Sequence, residues 1–283
     1  MGNFSRKTLK LFFGIMFSGL ILFLVLNINN FHEVPKNVVG YFQWFSGFII
    51  GDYGISPNDE KKIIFSLIQV EETKFINIGP QYIHSVGVTL SALIITFIIS
   101  LFLNTTEIVF KNKKVKWLKV ILEWLSSVHI IIVGIILFIL LGNEISLFIG
   151  IFMVAIFSNA FNDLSAIQYN DLNVLCNKDF VIAARSWGDD VWKHMKRTVA
   201  IDTINQFSSM WLIVFTNTLI YEIICQKRGL GYELFFQFLE PDNYVLEFEL
   251  DLFMTLTMFI IITLFIINYL RDLMLDYLIF KRR

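Results

Sequence analysis

Phe75-Ile-Asn-Ile-Gly-Pro-Gln-Tyr-Ile-His-Ser-Val-Gly-Val-Thr-Leu-Ser-Ala-Leu-Ile-Ile-Thr-Phe-Ile-Ile-Ser-Leu-Phe-Leu-Asn-Thr-Thr106 runs without a charged side chain. Crossing roughly 30 Å of hydrocarbon takes about 20 residues of helix, so this stretch is long enough to span a bilayer. Five other uncharged runs meet or approach that length: 11 to 32, 124 to 143, 145 to 162, 203 to 221 and 252 to 270. Each is continuously apolar, whereas barrel strands alternate over about 10 residues, so helices are predicted. Composition points the same way. A chain of 283 residues that is 56% hydrophobic and 17% charged, with 30 Phe and a mean hydropathy of +0.66, carries more apolar surface than a soluble core of that size needs. The expectation is an all-α polytopic membrane protein with six transmembrane helices.

Lysine and arginine set the orientation, because short loops rich in them stay on the cytoplasmic side. With both termini inside, 17 of the 23 basic residues lie inside: Arg6, Lys7 and Lys10, five lysines from Lys111 to Lys119, five residues from Lys178 to Arg197, Arg271, and Lys281 to Arg283. The predicted organisation is a first helix over 1–32, an extracytoplasmic segment over 33–74, and a five-helix core over 75–283 with a cytoplasmic loop at 163–202. Asn27-Ile-Asn-Asn30 offers no small-x-small cleavage site, so the first span is expected to be retained rather than removed as a leader. Cys176 and Cys225 fall on opposite sides and define no disulfide framework.

Val38-Val-Gly-Tyr-Phe-Gln-Trp-Phe-Ser-Gly-Phe-Ile-Ile50 is too short to cross. Its Tyr41, Phe42, Trp44, Phe45 and Phe48 suit the headgroup boundary, and Gly51-Asp-Tyr-Gly-Ile-Ser56 closes it in turn-like surroundings. Gly142, Asn143 and Glu144 leave room only for a tight outer hairpin between the third and fourth spans. Glu107 to Glu123 reads as a short basic inside loop suited to setting topology and contacting anionic lipid.

The loop from Asp163 to about Asp202 has more organisation than a linker needs. In Asp179-Phe-Val-Ile-Ala-Ala-Arg-Ser-Trp-Gly188, Asp179 can cap a short helix, Ala183 and Ala184 offer a small face, and Gly188 can supply the positive φ that ends it. Asp189 and Asp190 are then expected in the first turn of a second short helix, with Lys193, Lys196 and Arg197 near its end, matching the dipole at both ends. Trp187, Val191, Met195 and Val199 recur every four residues as one apolar stripe. Spacing alone fits packing on the protein's own bundle as readily as packing on a partner.

Asp179 to Arg197 resembles the cytoplasmic "EAA" loop of binding-protein-dependent ABC transporter permeases, an acidic residue, Ala-Ala, three residues and Gly, here Asp179, Ala183, Ala184 and Gly188. Within those permeases it looks most like the first, B-type permease of the oligopeptide, dipeptide and nickel subfamily, with Asp179-Phe180, Ala184-Arg185 and Gly188 in register. Gly51-Asp-Tyr-Gly-Ile-Ser56 resembles that subfamily's element after the first span. Gly229-Leu-Gly231 and Asn268-Tyr-Leu-Arg-Asp-Leu-Met-Leu-Asp-Tyr277 resemble its Gly-Leu-Gly and C-terminal patterns. Thr198 stands where the subfamily usually has His.

The resemblance implies the permease fold of a type I ABC importer in a bacterial cytoplasmic membrane. It implies a coupling loop carried by Asp179, Ala183, Ala184, Arg185, Gly188, Val191 and Met195, docked on separate ATPase subunits. The implied partners are those ATPases, a second permease, an extracellular or periplasmic substrate-binding protein, and membrane lipid; nucleic acid is not among them. The implied cargo is a peptide or a related small solute such as a nickel chelate. The chain has no Gly-x-x-x-x-Gly-Lys-Ser/Thr phosphate loop, so ATP is expected on the partner subunits and no cofactor on this one. An enzyme is not expected. His84 and His129 are the only titratable groups well inside the spans, and no His-Glu-x-x-His, paired aspartates or Cys cluster marks a metal. Glu222 reads as an interfacial carboxylate in water. Asn159, Thr216, Asn217, Thr218, Thr255 and Thr257 are modest polar candidates for a path. From another class, a membrane sensor or assembly subunit that binds an ATPase without transporting fits the same loop.

Overall fold

The computed structural model describes residues 2–26, 34–55, 61–67, 74–236 and 250–280. It is 83% helical, and the chain is a multi-pass membrane protein of α-helices. Among the described residues four helices are long and apolar enough to cross a bilayer, or up to six if each of two bent helix pairs counts as one span. Asn27 to Asn30, Ser56 and Lys281 to Arg283, used above, lie outside the described residues. Contacts divide the chain into two compact units, one of 1–84 with 228–270 and one of 85–227 with 271–283.

The first unit holds α1 (Gly2–Leu26), α2 (Val34–Ile50), a pair of strands β1 (Lys62–Ile64) and β2 (Phe75–Asn77), the start of α3 (Gly79–Ile108), α10 (Leu230–Phe236) and most of α11 (Leu250–Phe280). The aromatic stretch expected at the headgroup boundary is α2, and one face of it is packed. Tyr41, Phe45 and Phe48 are buried with Met258, against Met16, Leu20, Phe23 and Phe259, while Phe42, Ile49 and Ile50 face outward. The Tyr41 hydroxyl donates to the Met16 carbonyl at 2.7 Å. The parallel pair β1–β2 was not foreseen in an all-helical chain. It aligns Lys62 with Phe75 and Ile64 with Asn77, and Asn77 Oδ1 accepts from the amides of Ser66 and Gly79, fixing the turn into α3.

The second unit contains the rest of α3, α4 (Lys113–Ser126), α5 (Ile130–Leu141), α6 (Leu147–Phe157), α7 (Ala160–Cys176), α8 (Asp179–Ser186) and α9 (Val191–Ile224). The stretches 124 to 143 and 145 to 162 are not straight spans. α4 and α5 meet at 81°, and α6 and α7 at 51°. With 12 residues in α5 and a rise of about 1.5 Å each, α5 is about 18 Å long, short of the hydrocarbon thickness. The breaks have local causes. His129, expected well inside a span, caps α5 by accepting from the Ile131 amide at 3.3 Å, and Asn159 enters α7 with φ of 60°. The tight hairpin is present as a 3-10 turn over Gly142–Glu144.

The region from Glu107 to Glu123, expected as a loop, is mostly α4, and Lys119 points inward. Its Nζ lies 3.4 Å from Glu107 Oε2 and 3.8 Å from Glu123 Oε1 and sits over the Tyr169 ring, 4.1 Å from the centroid. One buried ammonium therefore gathers the end of α3, α4 and α7.

α6 crosses α9 closely at Gly150, where a Cβ would stand 2.1 Å from Tyr221 Oη and 2.4 Å from its Cζ. Tyr221 is fully buried and has no room to retreat. Gly150→Leu is therefore expected to destabilise the chain by about 1–3 kcal/mol or more through overpacking, read as a lower thermal midpoint in detergent micelles.

Candidate functional site

α8 is short and two-sided. Val181 and Ala184 turn inward and are buried, whereas Phe180, Ile182 and Trp187 are exposed, Trp187 at 83%. Its seat is a cluster of Leu172, Leu175 and Cys176 from α7, Val181 from α8, and Met195 and Val199 from α9, with Val191 and Trp192 packed against it. Met195 is 0% exposed. The four-residue stripe is thus internal for Val191, Met195 and Val199. Trp187 does not belong to it, because α8 ends there and Gly188, with φ of 74°, turns the chain away.

Three local expectations need correction. Lys178, not Asp179, is the N-cap of α8 and makes no side-chain cap, so Asp179 contributes as a first-turn charge on the helix dipole. Asp190 caps α9, accepting from the Trp192 amide at 3.0 Å, and Asp189 precedes the helix. The second helix is not short. α9 is continuous for 34 residues, so Lys193, Lys196 and Arg197 lie near its start and do not complement a C-terminal dipole.

The turn between α8 and α9 is held by side chains. Asp189 Oδ2 lies 2.7 Å from His194 Nε2, and that hydrogen bond, with one from the Asp190 amide, holds the Asp189 carboxyl below the usual aspartate range. Such a depressed group supports the fold at neutral pH and loses that support as pH falls through its folded value. The Arg197 guanidinium donates to the Leu278 carbonyl, tying the start of α9 to the end of α11. Arg185 is exposed. The residues expected to couple therefore separate: Ala184, Val191 and Met195 form the seat, Ala183 is half-buried, and Asp179, Arg185 and Gly188 lie on the surface.

A second feature escaped the sequence reading. Ser85, Thr89, Thr96, Ser100 and Asn104 form a buried polar stripe along α3. Ser85 Oγ donates to Glu222 Oε1 at 2.6 Å, and Thr89 Oγ1 to Thr218 Oγ1 at 3.0 Å. Thr96 Oγ1 donates to the Ala155 carbonyl at 3.0 Å, and Asn104 Nδ2 to the Ser165 carbonyl at 3.1 Å. Glu222 is therefore fully buried rather than in water. Hydroxyls and amides at such contacts join helices where lipid supplies no hydrophobic drive. Of the polar candidates, Thr218 joins this stripe, and Asn217 Nδ2 donates to the Ser158 carbonyl beside Asn159. Thr216 is exposed with its hydroxyl bonded within its own helix. Thr255 and Thr257 belong to the other unit.

Comparison with known proteins gives no match to any family model and none among curated proteins. Among the described residues no group of three or more His, Cys, Asp or Glu side chains is placed to hold a metal. Cys176 and Cys225 are both free and buried.

Proposed function

We propose that the chain is a membrane-spanning permease subunit of an ATP-driven importer, moving a peptide or related small solute by alternating access. α8 and the turn after it dock, on the cytoplasmic side, into a groove of a separate ATPase subunit. The two-sidedness of α8 carries this reading. Its inner face is locked to α7 and α9, while Phe180, Ile182 and Trp187 stand exposed beside Arg185. Aromatic anchors with an arginine nearby are what protein interfaces use as hot spots, and a rigid seat lets a partner's motion reach the membrane helices. With no phosphate-binding loop in the chain, the nucleotide belongs to the partner. A second permease and an external substrate-binding protein complete the assembly.

The test is mass spectrometry of what co-purifies with the tagged chain in mild detergent from its native membrane. ATPase subunits, a second permease and a binding protein are the expected companions. Recovery of the chain alone, or with a kinase or protease, would overturn transport in favour of a sensor or assembly role.

Gly188→Val probes the docking turn. A β-branched residue at φ of 74° costs about 1–2 kcal/mol, and among the described residues no heavy atom beyond its chain neighbours lies within 4 Å of where its Cβ would stand. The variant is expected to fold and insert with slightly reduced stability yet lose stimulated ATP hydrolysis in reconstituted vesicles.

A further inference from the structure

A cleft of about 10 Å³ opens between α7 and α9, lined on its polar side by Gln168, Asp171, Asp202, Thr203 and Gln206 and walled by aliphatic side chains. Gln206 Nε2 donates to Asp171 Oδ2 at 2.7 Å, bridging α9 to α7. Both glutamines are deeply buried, Gln206 at 8% exposure and Gln168 at 3%, yet among the described residues Gln206 Oε1 and Gln168 Nε2 have no hydrogen-bond partner. A buried amide atom left without one costs about 1–3 kcal/mol, so the cleft is built for an occupant.

Two carboxylates face it, and Asp202 has Asp171 and Lys178 as its charged neighbours. Ser100 Oγ holds Gln168 through Oε1 at 2.7 Å. Because a hydroxyl can donate or accept, Ser100 can equally hold the amide by its nitrogen, which turns the Gln168 oxygen into the cavity. Asp171, Asp202, Thr203, Gln206 and Gln168 then line the cleft with oxygen donors.

We propose that this cleft binds one small monovalent cation of the sodium type. Room for a single water-sized sphere excludes magnesium, which keeps several of its waters. Calcium takes about 6–8 oxygens, which these five side chains reach only if both carboxylates bind through both of their oxygens, and Asp171 Oδ2 is already engaged by Gln206. A water could satisfy the amides, but a cation would also add to Lys178 in offsetting the two carboxylates of a partly dry cleft. Bridging Asp171 on α7 and Asp202 on α9, the ion clamps together the two helices that flank α8. The assignment stands on the cleft alone and holds whether or not the chain transports.

The purified chain in detergent is dialysed to equilibrium against radioactive sodium, with choline chloride holding ionic strength constant, and its thermal unfolding is followed in the same buffers. One saturable sodium per chain is expected, with a midpoint higher in sodium than in choline. Asp202→Asn should weaken binding about tenfold or more, Asp202→Glu should retain it, and Glu144→Gln, far from the cleft in sequence, should leave it unchanged. Absence of saturable sodium binding to the unaltered chain overturns the proposal, as does undiminished binding in folded Asp202→Asn; either result leaves water as the occupant.

Discussion

Replacing Phe180 and Trp187 together by alanine is expected to weaken binding of the ATPase subunit at least about thirtyfold while leaving the thermal midpoint of the chain where it was. Trp187 is 83% exposed and Phe180 46%, and neither belongs to the cluster that seats α8, so their loss leaves that core in place. Their value lies only in what they would bury on a partner, and buried aromatic anchors at interface centres are worth about 2 kcal/mol or more each. Titration of the ATPase onto the immobilised chain, with unfolding followed by intrinsic fluorescence, separates the two effects. Unchanged ATPase affinity in the double variant would remove α8 as the docking element.

Met195→Ala is the complementary experiment, with the largest expected effect on stability. Met195 is wholly enclosed by the α7, α8 and α9 side chains that seat α8, and its thioether lies 3.8 Å from Cys176 Sγ. Truncation leaves a cavity that a cluster fixed on three sides cannot collapse, at about 2–5 kcal/mol. The midpoint should fall by roughly 6 °C or more, and ATPase affinity should drop with it because the seat loosens. Loss of affinity without loss of stability would mean that Met195 itself touches the partner, contrary to its burial.

These two residues also mark where the sequence could and could not be read. Met195 is legible as part of one apolar stripe, because its spacing to Val191 and Val199 is that of one helix face, but spacing leaves open whether the stripe packs inside the protein or on a partner. Spacing assigns Trp187 to the same stripe because it takes no account of a reversal, and Gly188 reverses the chain just after it. Long uncharged runs identified α1, α3, α9 and α11. The breaks at His129 and Asn159 are hard to read, since neither proline nor glycine marks them and the serines beside them, Ser126, Ser127 and Ser158, scarcely lower the hydropathy of the long runs. The polar stripe of α3 was missed for a related reason. Single Ser and Thr residues scarcely lower the hydropathy of a long run, so their alignment on one buried face emerges only once the helix has neighbours. Closeness to a span end makes Glu222 read as interfacial, whereas its surroundings are set by Ser85 on a helix more than a hundred residues away in sequence. β1 and β2, three residues each, are too short to announce themselves by alternation.

α9 begins at the turn after α8 and runs unbroken for 34 residues, about 51 Å at 1.5 Å per residue, well beyond the hydrocarbon thickness. Its first turns hold the α8 seat, and its last hold Thr218, Tyr221 and Glu222 against α3 and α6. The molecule thus has a connecting rod in place of a hinged handle. Torque applied at the Asp190 end arrives at the Glu222 end without a joint to absorb it, so on the transport reading the stroke is set by the stiffness of one helix.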